Sequence, residues 1–396
     1  MKKNNYPTVI DFGSSELRLG VFDSKLSKLF FASKDIPKND NYEEYSKSIN
    51  TLIREAEKKI STHLENITVL YDSSEICTID LSIKKKLDQK IIFKDVCSSL
   101  VIEAKQLIKN SYTNKKVIHI IISKYIINKK DFSKIPSEIP DDLNSVILEI
   151  KFICLPYDKY NNVYEIFKKN NLNVLNFFSS SLVKSFNYID YFKKNKLVAF
   201  LDIGLDRTTI IFFINEKLEC FNTIPIGGNH ISRDISQVMK LSFEESEELK
   251  KSFNKSEIDF SYDNSDSSDN IDIVKKILGK NISIDLLNKV VLARIEEIIQ
   301  LSFKSLSIST NIETQKNLNL VLIGRGSKIF NRNSFQIEDK YNFKEINFYE
   351  ESDSEICKAG LMFEKNYYYE VDPKKLRKKQ KKIGIFHRFF NIFGND

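Results

Sequence analysis

The chain has 396 residues, which is enough for more than one folded domain because single hydrophobic cores stop growing at about 250–300 residues. Its formal net charge of +7 is concentrated near the C-terminus, where residues 374–388 carry eight basic and no acidic side chains, while the rest of the chain carries 53 basic and 54 acidic ones. This distribution argues against a nucleic-acid-binding protein, which needs basic residues spread over a folded face.

Cysteines and histidines are scattered along the sequence. The cysteines lie mostly in apolar runs, which predicts buried thiols of a reducing compartment, and neither residue type has the spacing of a zinc site. The spacing therefore argues against a His-based metal site or catalytic triad. For His230, beside a glycine turn, a surface or capping role is favoured over a nucleotide contact. The residues are Cys77, Cys97, Cys154, Cys220, Cys357, His63, His119, His230 and His387.

Neither a signal peptide nor a membrane-spanning segment is evident in the sequence. Met1 to Pro7 is polar and leads directly into a predicted strand. No window reaches the roughly 18–20 apolar residues of a spanning helix. We therefore expect the protein to be made and kept in the cytoplasm.

The N-terminal segment predicts a hairpin whose turn has the pattern Asp-x-Gly. Asp11, Gly13, Ser14 and Ser15 follow an apolar run and precede a second one. Glycine lets the backbone approach an anion closely, and a carboxylate at the strand end can hold Mg²⁺ through water, so the turn suits phosphate binding. For either such motif alone, an ordinary hairpin turn is the alternative. The following elements are a strand at 26–33, a helix at 42–64 and a strand at 67–71.

The pattern of predicted helices and strands changes in the region from about Asp80 to Leu155. A helix pattern, two strands and a polar loop with Pro136 and Pro140 predict a compact α+β insert. Helical patterns then follow, and the Ser179–Ser181 run between them is expected to allow close packing. The predicted elements are a helix at 93–110, strands at 115–123 and 145–156, and helices at 159–170 and 182–192.

A second Asp-x-Gly hairpin begins at Leu197, about 190 residues after the first. It contains Asp202, Gly204 and Thr208, and a further strand leads to a Pro-x-Gly-Gly-Asn turn. Two such hairpins fit a duplicated nucleotide-binding domain with one phosphate loop from each half. Helical patterns at 230–241 and 243–254 come next.

The last third of the sequence contains a third glycine-rich turn. A Ser/Asp/Asn-rich stretch, Asp259–Asn270, predicts a flexible surface loop, and a helix pattern follows at 282–306. The buried-strand run at 318–323 ends in Gly324, Arg325 and Gly326, a signal that also fits a plain strand-to-helix turn. A helix around 355–362 closes the pattern.

The order of these motifs resembles the actin, Hsp70 and sugar-kinase ATPase superfamily, and within it the FtsA family of actin-like bacterial cell-division proteins. The resemblance runs from about Thr8 to the C-terminus, and Pro225–Ile235 is similar to the FtsA form of that turn. It implies an α/β, bilobed actin-like ATPase fold of duplicated RNase H-like domains. The same resemblance includes a small α+β inserted subdomain and a C-terminal amphipathic helix. It also includes a helix that contains Arg294 and precedes the strand at 318–323, whose glycine turn is implied to bind the adenosine.

The resemblance also implies ATP and Mg²⁺ as cofactors. Asp11 and Asp202 would hold Mg²⁺ through water, and catalytic residues stay unassigned. The implied nucleotide-binding residues are Asp11, Gly13, Ser14, Ser15, Arg18, Asp202, Gly204, Thr208, Gly227, Gly228, Asn229, Gly324, Arg325 and Gly326.

Several positions depart from the FtsA pattern. Leu205, Asp206 and Arg207 fill places where glycines are usual, and Thr209 stands where a closing Asp is expected. Glu16 replaces a common Lys, for which Arg18 is a substitute, and Arg325 replaces a Gly. Lost backbone freedom and added negative charge near a phosphate predict at most slow ATP hydrolysis.

The tail combines a basic run with an amphipathic helix pattern. At about 100° per residue, Ile and Phe side chains occupy one half-circle of residues 383–393, opposite Gly, His, Asn and Arg. A core helix has the same pattern, but a terminal helix behind seven basic residues favours a reversible interfacial anchor on anionic lipid. The expected membrane-binding residues are Ile383, Ile385, Phe386, Phe389, Phe390, Ile392, Phe393, Lys378, Lys379, Lys381, Lys382 and Arg388.

The predicted domain organisation follows from these patterns and from the resemblance. A first lobe is split by the insert, and a second lobe precedes the tail. The boundaries are 1–79 for the first lobe, 80–157 for the insert, 158–195 for the return to the first lobe with a crossing helix, 196–365 for the second lobe, 366–382 for a basic linker and 383–396 for the membrane-targeting helix.

The resemblance implies a cell-division protein that binds ATP, self-associates into filaments at the cytoplasmic face of the cell membrane and tethers FtsZ to the division septum. Its implied partners are FtsZ, anionic inner-membrane lipids and downstream division proteins, with no nucleic acid. Two alternatives stay open: an active ATPase or phosphotransferase of the same fold, and a PilM-like assembly adaptor, against which the membrane tail argues.

Overall fold

A computed structural model describes most of the chain. The described residues are 6–36, 42–87, 92–132, 135–136, 138–140, 142–253, 283–304, 306, 317–333, 343–349 and 353–366. The predicted loop at 259–270, the basic linker from 367 and the amphipathic helix at 383–393 lie outside these ranges.

The described chain divides into two compact units. The first comprises 1–191, 216–221 and 352–396, and the second comprises 192–215 and 222–351, in each case as far as the described residues extend. The domain boundaries proposed from the sequence remain a prediction.

The first unit contains a five-stranded sheet. Its strand order is β3-β2-β1-β4-β9, in which β1 pairs antiparallel with β2 and parallel with β4. The strands are β1 Thr8–Phe12, β2 Glu16–Phe22, β3 Lys28–Asp35, β4 Asn66–Tyr71 and β9 Asn173–Phe178. Every residue of β1 and β2 is buried, which explains their nearly continuous apolar runs.

Four helices belong to the first unit outside the insert. They are α1 Tyr42–Ile60, α3 Tyr157–Lys169, α4 Ser180–Tyr188 and α8 Asp353–Asn366, and a 3-10 turn at Ile189–Phe192 continues α4. Helix α8, the predicted closing helix, packs on β1, β2 and β4. Its Gly360 lies where a Cβ would come within 3.1 Å of Leu70, so this helix sits close to the sheet.

The insert forms a four-stranded antiparallel sheet of its own, ordered β5-β8-β6-β7. Its elements are β5 Cys77–Lys86, α2 Phe93–Ser111, β6 Lys115–Ile127, β7 Lys130–Phe132 and β8 Ser145–Pro156. Helix α2 covers one face through Val96, Leu100 and Ala104, which form a core with Phe152 and Leu148 of β8. The predicted α+β character of this region is confirmed.

The second unit contains a sheet with the same arrangement as the first. Its order is β12-β11-β10-β13-β14, with β10 antiparallel to β11 and parallel to β13. The elements are β10 Leu197–Ile203, β11 Thr208–Ile214, β12 Lys217–Ile224, α5 Gly228–Met239, α6 Phe243–Phe253, α7 Ile284–Lys304, β13 Leu318–Ile323, a 3-10 segment Arg325–Asn333 and β14 Glu345–Phe348. The identical strand order in both units confirms the predicted duplication.

The structure moves some element boundaries. Helix α5 begins at Gly228 and not at His230, and α4 begins at Ser180 and not at Leu182. Strand β6 extends to Ile127, because a left-handed turn at Asn128 and Lys129 joins it to β7. Among the described helices, none is both long and apolar enough to cross a membrane.

Candidate functional site

The second hairpin forms a tight loop at the end of a fully buried strand. Asp202 is paired opposite Thr209 in the ladder, and the backbone N–H of Gly204 donates to the carbonyl oxygen of Arg207 at 2.9 Å. Asp202 is only 2% exposed, and its carboxylate lies at the base of the loop. The residues 202–207 thus form a compact backbone turn beside one acidic side chain.

The predicted glycine turn packs directly on this loop. The N–H of Gly228 donates to the carbonyl of Gly204 at 2.9 Å, and the N–H of Asn229 donates to that of Leu205 at 2.7 Å. A Cβ at Gly227 would lie 2.6 Å from both of those carbonyl oxygens. Because the first N–H groups of α5 are bonded to the loop, α5 and the hairpin hold one another in place.

The third glycine turn lies against the same loop. Gly324 has φ +83°, and a Cβ there would lie 2.3 Å from Oδ1 of Asp202 and 2.7 Å from the carbonyl oxygen of Ile203. A Cβ at Gly326 would lie 2.8 Å from that carbonyl oxygen. Turns from three distant parts of the sequence therefore meet around residues 202–207, as the motif order predicted.

The polar side chains at this loop are bonded within the second unit. Thr208 donates its hydroxyl to the carbonyl of Ile226 at 2.7 Å, and Asn229 donates its amide to Asp206 at 2.9 Å. The guanidinium of Arg207 lies over Gly204, where a Cβ would be 3.1 Å from its Nη1. The Asp206 carboxylate thus accepts a hydrogen bond from the Asn229 side chain.

One cation beside the glycine turn was not singled out from the sequence. Lys250 of α6 donates to the carbonyl of Gly228 at 2.9 Å and pairs with Glu247 at 2.8 Å, and Glu247 accepts from Ser232 at 2.5 Å. Burial opposes ionisation of Glu247, but Lys250 and Ser232 outweigh it and lower its pKa. These contacts hold the Lys250 side chain next to the start of α5.

Two further predictions concern residues on α5 and α7. His230 accepts a hydrogen bond from the N–H of Gly227 at 3.2 Å through Nδ1, which is the capping role favoured from the sequence. Arg294 donates to both carboxylate oxygens of Asp234 at 2.5 and 2.8 Å, a bidentate pair that ties α7 to α5. Both residues support the glycine turn.

The first hairpin closes in the same way as the second. The N–H of Gly13 donates to the carbonyl of Glu16 at 3.1 Å, Ser14 is exposed, and Ser15 accepts from the N–H of Ile36 through its carbonyl at 2.9 Å. Arg18 forms ion pairs of 2.7 Å with both Asp11 and Glu16, and all three side chains are buried. In this arrangement Arg18 is directed to two carboxylates of its own hairpin.

Three consecutive serines at the start of α4 join this hairpin to a buried network. Ser180 donates to Asp11 at 2.9 Å, while Ser179 and Ser181 donate to Asp72 at 2.5 and 2.8 Å. The N–H of Ser181 also donates to Asp72 at 2.8 Å. The serines were expected to allow close packing, and the structure shows that they also bind two buried carboxylates.

His119 of the insert completes the network as a neutral acceptor. Its Nε2 accepts the N–H of Ser179 at 2.8 Å, and its ring stacks on Phe178 with centroids 5.5 Å apart. Burial lowers the pKa of His119 to about 3, although Asp72 acts in the opposite direction. Neither Asp72 nor His119 could be assigned a role from the sequence.

We expect the pH dependence of stability to report this buried histidine. Because the pKa of His119 is lower in the folded than in the unfolded chain, its contribution is complete above about pH 6.5 and is lost as the pH falls toward 3. In that range His119→Gln should reduce the pH slope of the free energy of unfolding by about 1.4 kcal/mol per pH unit. Urea titrations of both proteins at several pH values, with His63→Gln as the control, measure this slope; equal slopes would contradict it.

Asp11 and Asp202, which were predicted to hold Mg²⁺, are both in contact with other protein groups. Both oxygens of Asp11 are engaged, by Arg18 and Ser180, and Asp202 lies against Gly324. The described residues contain no cluster of three or more His, Cys, Asp or Glu side chains suited to a metal. Each aspartate, taken within its own unit, fits only an ion that keeps its waters and is held mainly by nucleotide phosphates, which is how Mg²⁺ usually binds.

Comparisons with known proteins agree with this geometry. Residues 199–328 match the family model "Cell division protein FtsA". The chain is 26% identical over 207 residues to the FtsA protein of Bacillus subtilis, covering 51% of this chain and 44% of the relative, and 25% identical over 204 residues to that of Buchnera aphidicola, covering 51% and 47%. The matches thus span less than half the length of these curated relatives. They confirm the predicted resemblance to FtsA.

Solved structures with the same fold include a PilM-PilN type IV pilus biogenesis complex, with a TM-score of 0.54, 14% identity and coverage of 91% of this chain and 96% of that one. MreB5 of Spiroplasma citri bound to ADP gives a TM-score of 0.51 at 10% identity, covering 92% and 97%. The same protein bound to AMPPNP gives 0.50 at 12% identity, covering 92% and 98%. At these identities the likeness concerns the fold alone, and it confirms the predicted actin-like ATPase fold.

Proposed function

We propose that this FtsA-related chain is a cell-division protein that binds ATP, polymerises on the cytoplasmic face of the cell membrane and tethers FtsZ at the division septum. One observation carries the proposal: the segment that matches the FtsA family, residues 199–328, is the segment whose glycine turns meet around the second hairpin. The part of the chain most similar to FtsA is therefore the part that builds the candidate phosphate site.

The proposed nucleotide contacts in the second unit follow from its geometry. Gly204, Gly227 and Gly228 at the start of α5, and the turn at Gly324–Gly326 bring several backbone segments close together at positions without side chains, which suits phosphates and a nucleoside. Lys250 adds positive charge beside Gly228. ADP and AMPPNP are bound by the MreB5 structures of the same fold, which supports a nucleotide here.

Nucleotide binding requires a local rearrangement of α5. The N–H groups of Gly228 and Asn229 donate to the loop, so phosphates reach them only if these two bonds are exchanged. Asp11, Gly13, Ser14, Ser15 and Arg18 of the first hairpin remain predicted contacts, as does Mg²⁺ at Asp11 and Asp202. With Arg18 directed to Asp11 and Glu16, we propose at most slow hydrolysis.

The membrane anchor is proposed from the sequence of residues 374–393. A chain ending at Asp372 should lose binding to vesicles of anionic phospholipid, because both the basic run and the apolar helix face are removed. Sedimentation with vesicles measures this. The double variant Phe386→Ser, Phe389→Ser keeps every charge and should also bind poorly; full binding by either protein would contradict the anchor.

FtsZ recruitment tests the proposed function as a whole. We expect purified FtsZ to sediment with anionic vesicles only when the full chain and ATP are present. Recruitment by the chain ending at Asp372, or no recruitment by the full chain, would contradict the tether. If instead the chain turns over ATP rapidly and Asp202→Ala abolishes the turnover, an ATPase or phosphotransferase of this fold is the better description.

A further inference from the structure

Two cysteines face each other across neighbouring strands of the insert. Cys77, the first residue of β5, is the direct partner of Cys154 in the antiparallel β5–β8 ladder. Both side chains contact the apolar core between this sheet and α2. They therefore point to the same face of the sheet.

The distance between directly opposed residues suits a disulfide bond. In an antiparallel ladder the Cα atoms of such residues lie about 5.5 or 4.5 Å apart, depending on the hydrogen-bonding of the pair. A disulfide joins Cα atoms about 4.4–6.8 Å apart, so either kind of pair falls within the range. No change in strand register is needed to bring the two sulfur atoms together.

The two thiols differ in accessibility. Cys77 is partly exposed, whereas Cys154 is fully buried. Burial raises the pKa of the Cys154 thiol to about 12, and the neighbouring Cys77 acts in the same direction. A reagent in solution therefore meets Cys77 first, and Cys154 reacts only with a sulfur that is already beside it.

We propose that Cys77 and Cys154 form a redox-modification site that takes a low-molecular-weight disulfide as its oxidant. The Cys77 thiolate attacks one sulfur of the reagent, which leaves a mixed disulfide and releases one thiol. The Cys154 sulfur then attacks the Cys77 sulfur, forms the protein disulfide and releases the second thiol. The two cysteines lose two electrons and two protons, and the reagent gains both as two thiols.

The two cysteines lie where the insert connects to the rest of the first unit. Cys77 opens the first strand of the insert, and Cys154 lies two residues before the end of its last strand. A disulfide there joins the two chain segments through which the insert connects to the rest of the first unit. The disulfide would restrict movement of these two connecting segments relative to each other, and the strand pairing of the sheet would stay unchanged.

Treatment of the folded, full chain with oxidised glutathione tests the proposal. Alkylation, digestion and mass spectrometry without reductant should then give a peptide linked through Cys77 and Cys154. Loss of the linked peptide on reduction confirms reversibility. A Cys77–Cys97 link, persistent glutathione on Cys77, or unreacted Cys77 would overturn the proposal.

Matched variants separate the pair from the other cysteines. Cys154→Ser should trap glutathione on Cys77, while Cys97→Ser, in the same apolar core, should still give the Cys77–Cys154 link. Cys77→Ser changes a partly exposed position, so its folding is expected to be normal, and it should yield no link and no modified Cys154. Circular dichroism verifies that each variant is folded before oxidation.

Discussion

Replacing Gly324 with alanine is expected to reduce the affinity for ATP by about 100-fold or more, equivalent to about 2.7 kcal/mol. Gly324 has φ +83°, which disfavours any side chain, and its Cβ would lie 2.3 Å from the Asp202 carboxylate and 2.7 Å from the carbonyl of Ile203. Neither atom can move freely, because one belongs to the backbone and the other to a buried strand end. The loop that we propose for phosphate binding would have to shift.

Asn215→Ala provides the matched control for this substitution. Asn215 also has a positive φ, +50°, but it follows β11 at the end opposite to Thr208 and is not one of the proposed nucleotide contacts. We expect this variant to retain ATP binding within about a factor of three. Titration calorimetry of both folded variants decides the matter, and equal affinities for Gly324→Ala and Asn215→Ala would contradict the proposed site.

Asp72→Ala is expected to lower the free energy of unfolding by about 3 kcal/mol or more. The substitution removes the acceptor of hydrogen bonds from the Ser179 hydroxyl and from both the hydroxyl and the N–H of Ser181. The hydroxyl groups can rotate, but the N–H of Ser181 is fixed at the start of α4 and would be left buried without an acceptor. Urea denaturation of the variant measures the loss.

Asp80→Ala tests whether any carboxylate would have this effect. Asp80 pairs with Lys151 at 3.2 Å, but the Asp80 side chain is 67% exposed. Exposed ion pairs contribute about 1 kcal/mol at most, so the loss should be small. If both substitutions cost the same, the buried serine network has no special part in stabilising the first unit.

The sequence predicted the fold well where its signal was local. Strands β1 and β2 are buried throughout, and β10 and β11 are buried except for one end residue each, so their apolar runs and the Asp-x-Gly turns after β1 and β10 identified both hairpins. Helix boundaries were predicted less well, because the capping hydrogen bonds that determine where a helix begins are not visible in the sequence pattern. Helix α5 begins at Gly228 since its first N–H groups bond to the loop, and α4 begins at Ser180 since Ser179 caps it.

The meeting of the glycine turns in the second unit was expected from the family resemblance, which rests on the order of the motifs. Gly227, Gly324 and Gly326 were chosen as nucleotide contacts, and the structure brings all three to residues 202–207. Whether they bind nucleotide remains a prediction. Arg18 was expected to serve in place of a lysine, and its pairing with Asp11 and Glu16 was not foreseen.

The buried network of the first unit was beyond the reach of sequence reasoning. Asp72 binds serines 107 and 109 residues away, and His119 binds one 60 residues away, so no spacing along the chain links them. Lys250 was missed because a lysine on an amphipathic helix ordinarily faces solvent. Such contacts depend on how sheets and helices are placed and leave no periodic pattern.

Calorimetric titration of the purified full chain with ATP and Mg²⁺ tests the central claim most directly. We expect saturable binding with a micromolar Kd that is lost in Gly324→Ala and kept in Asn215→Ala. An absence of saturable binding by the unmodified chain at millimolar ATP would contradict it. The proposed function would then have to be carried out without a nucleotide.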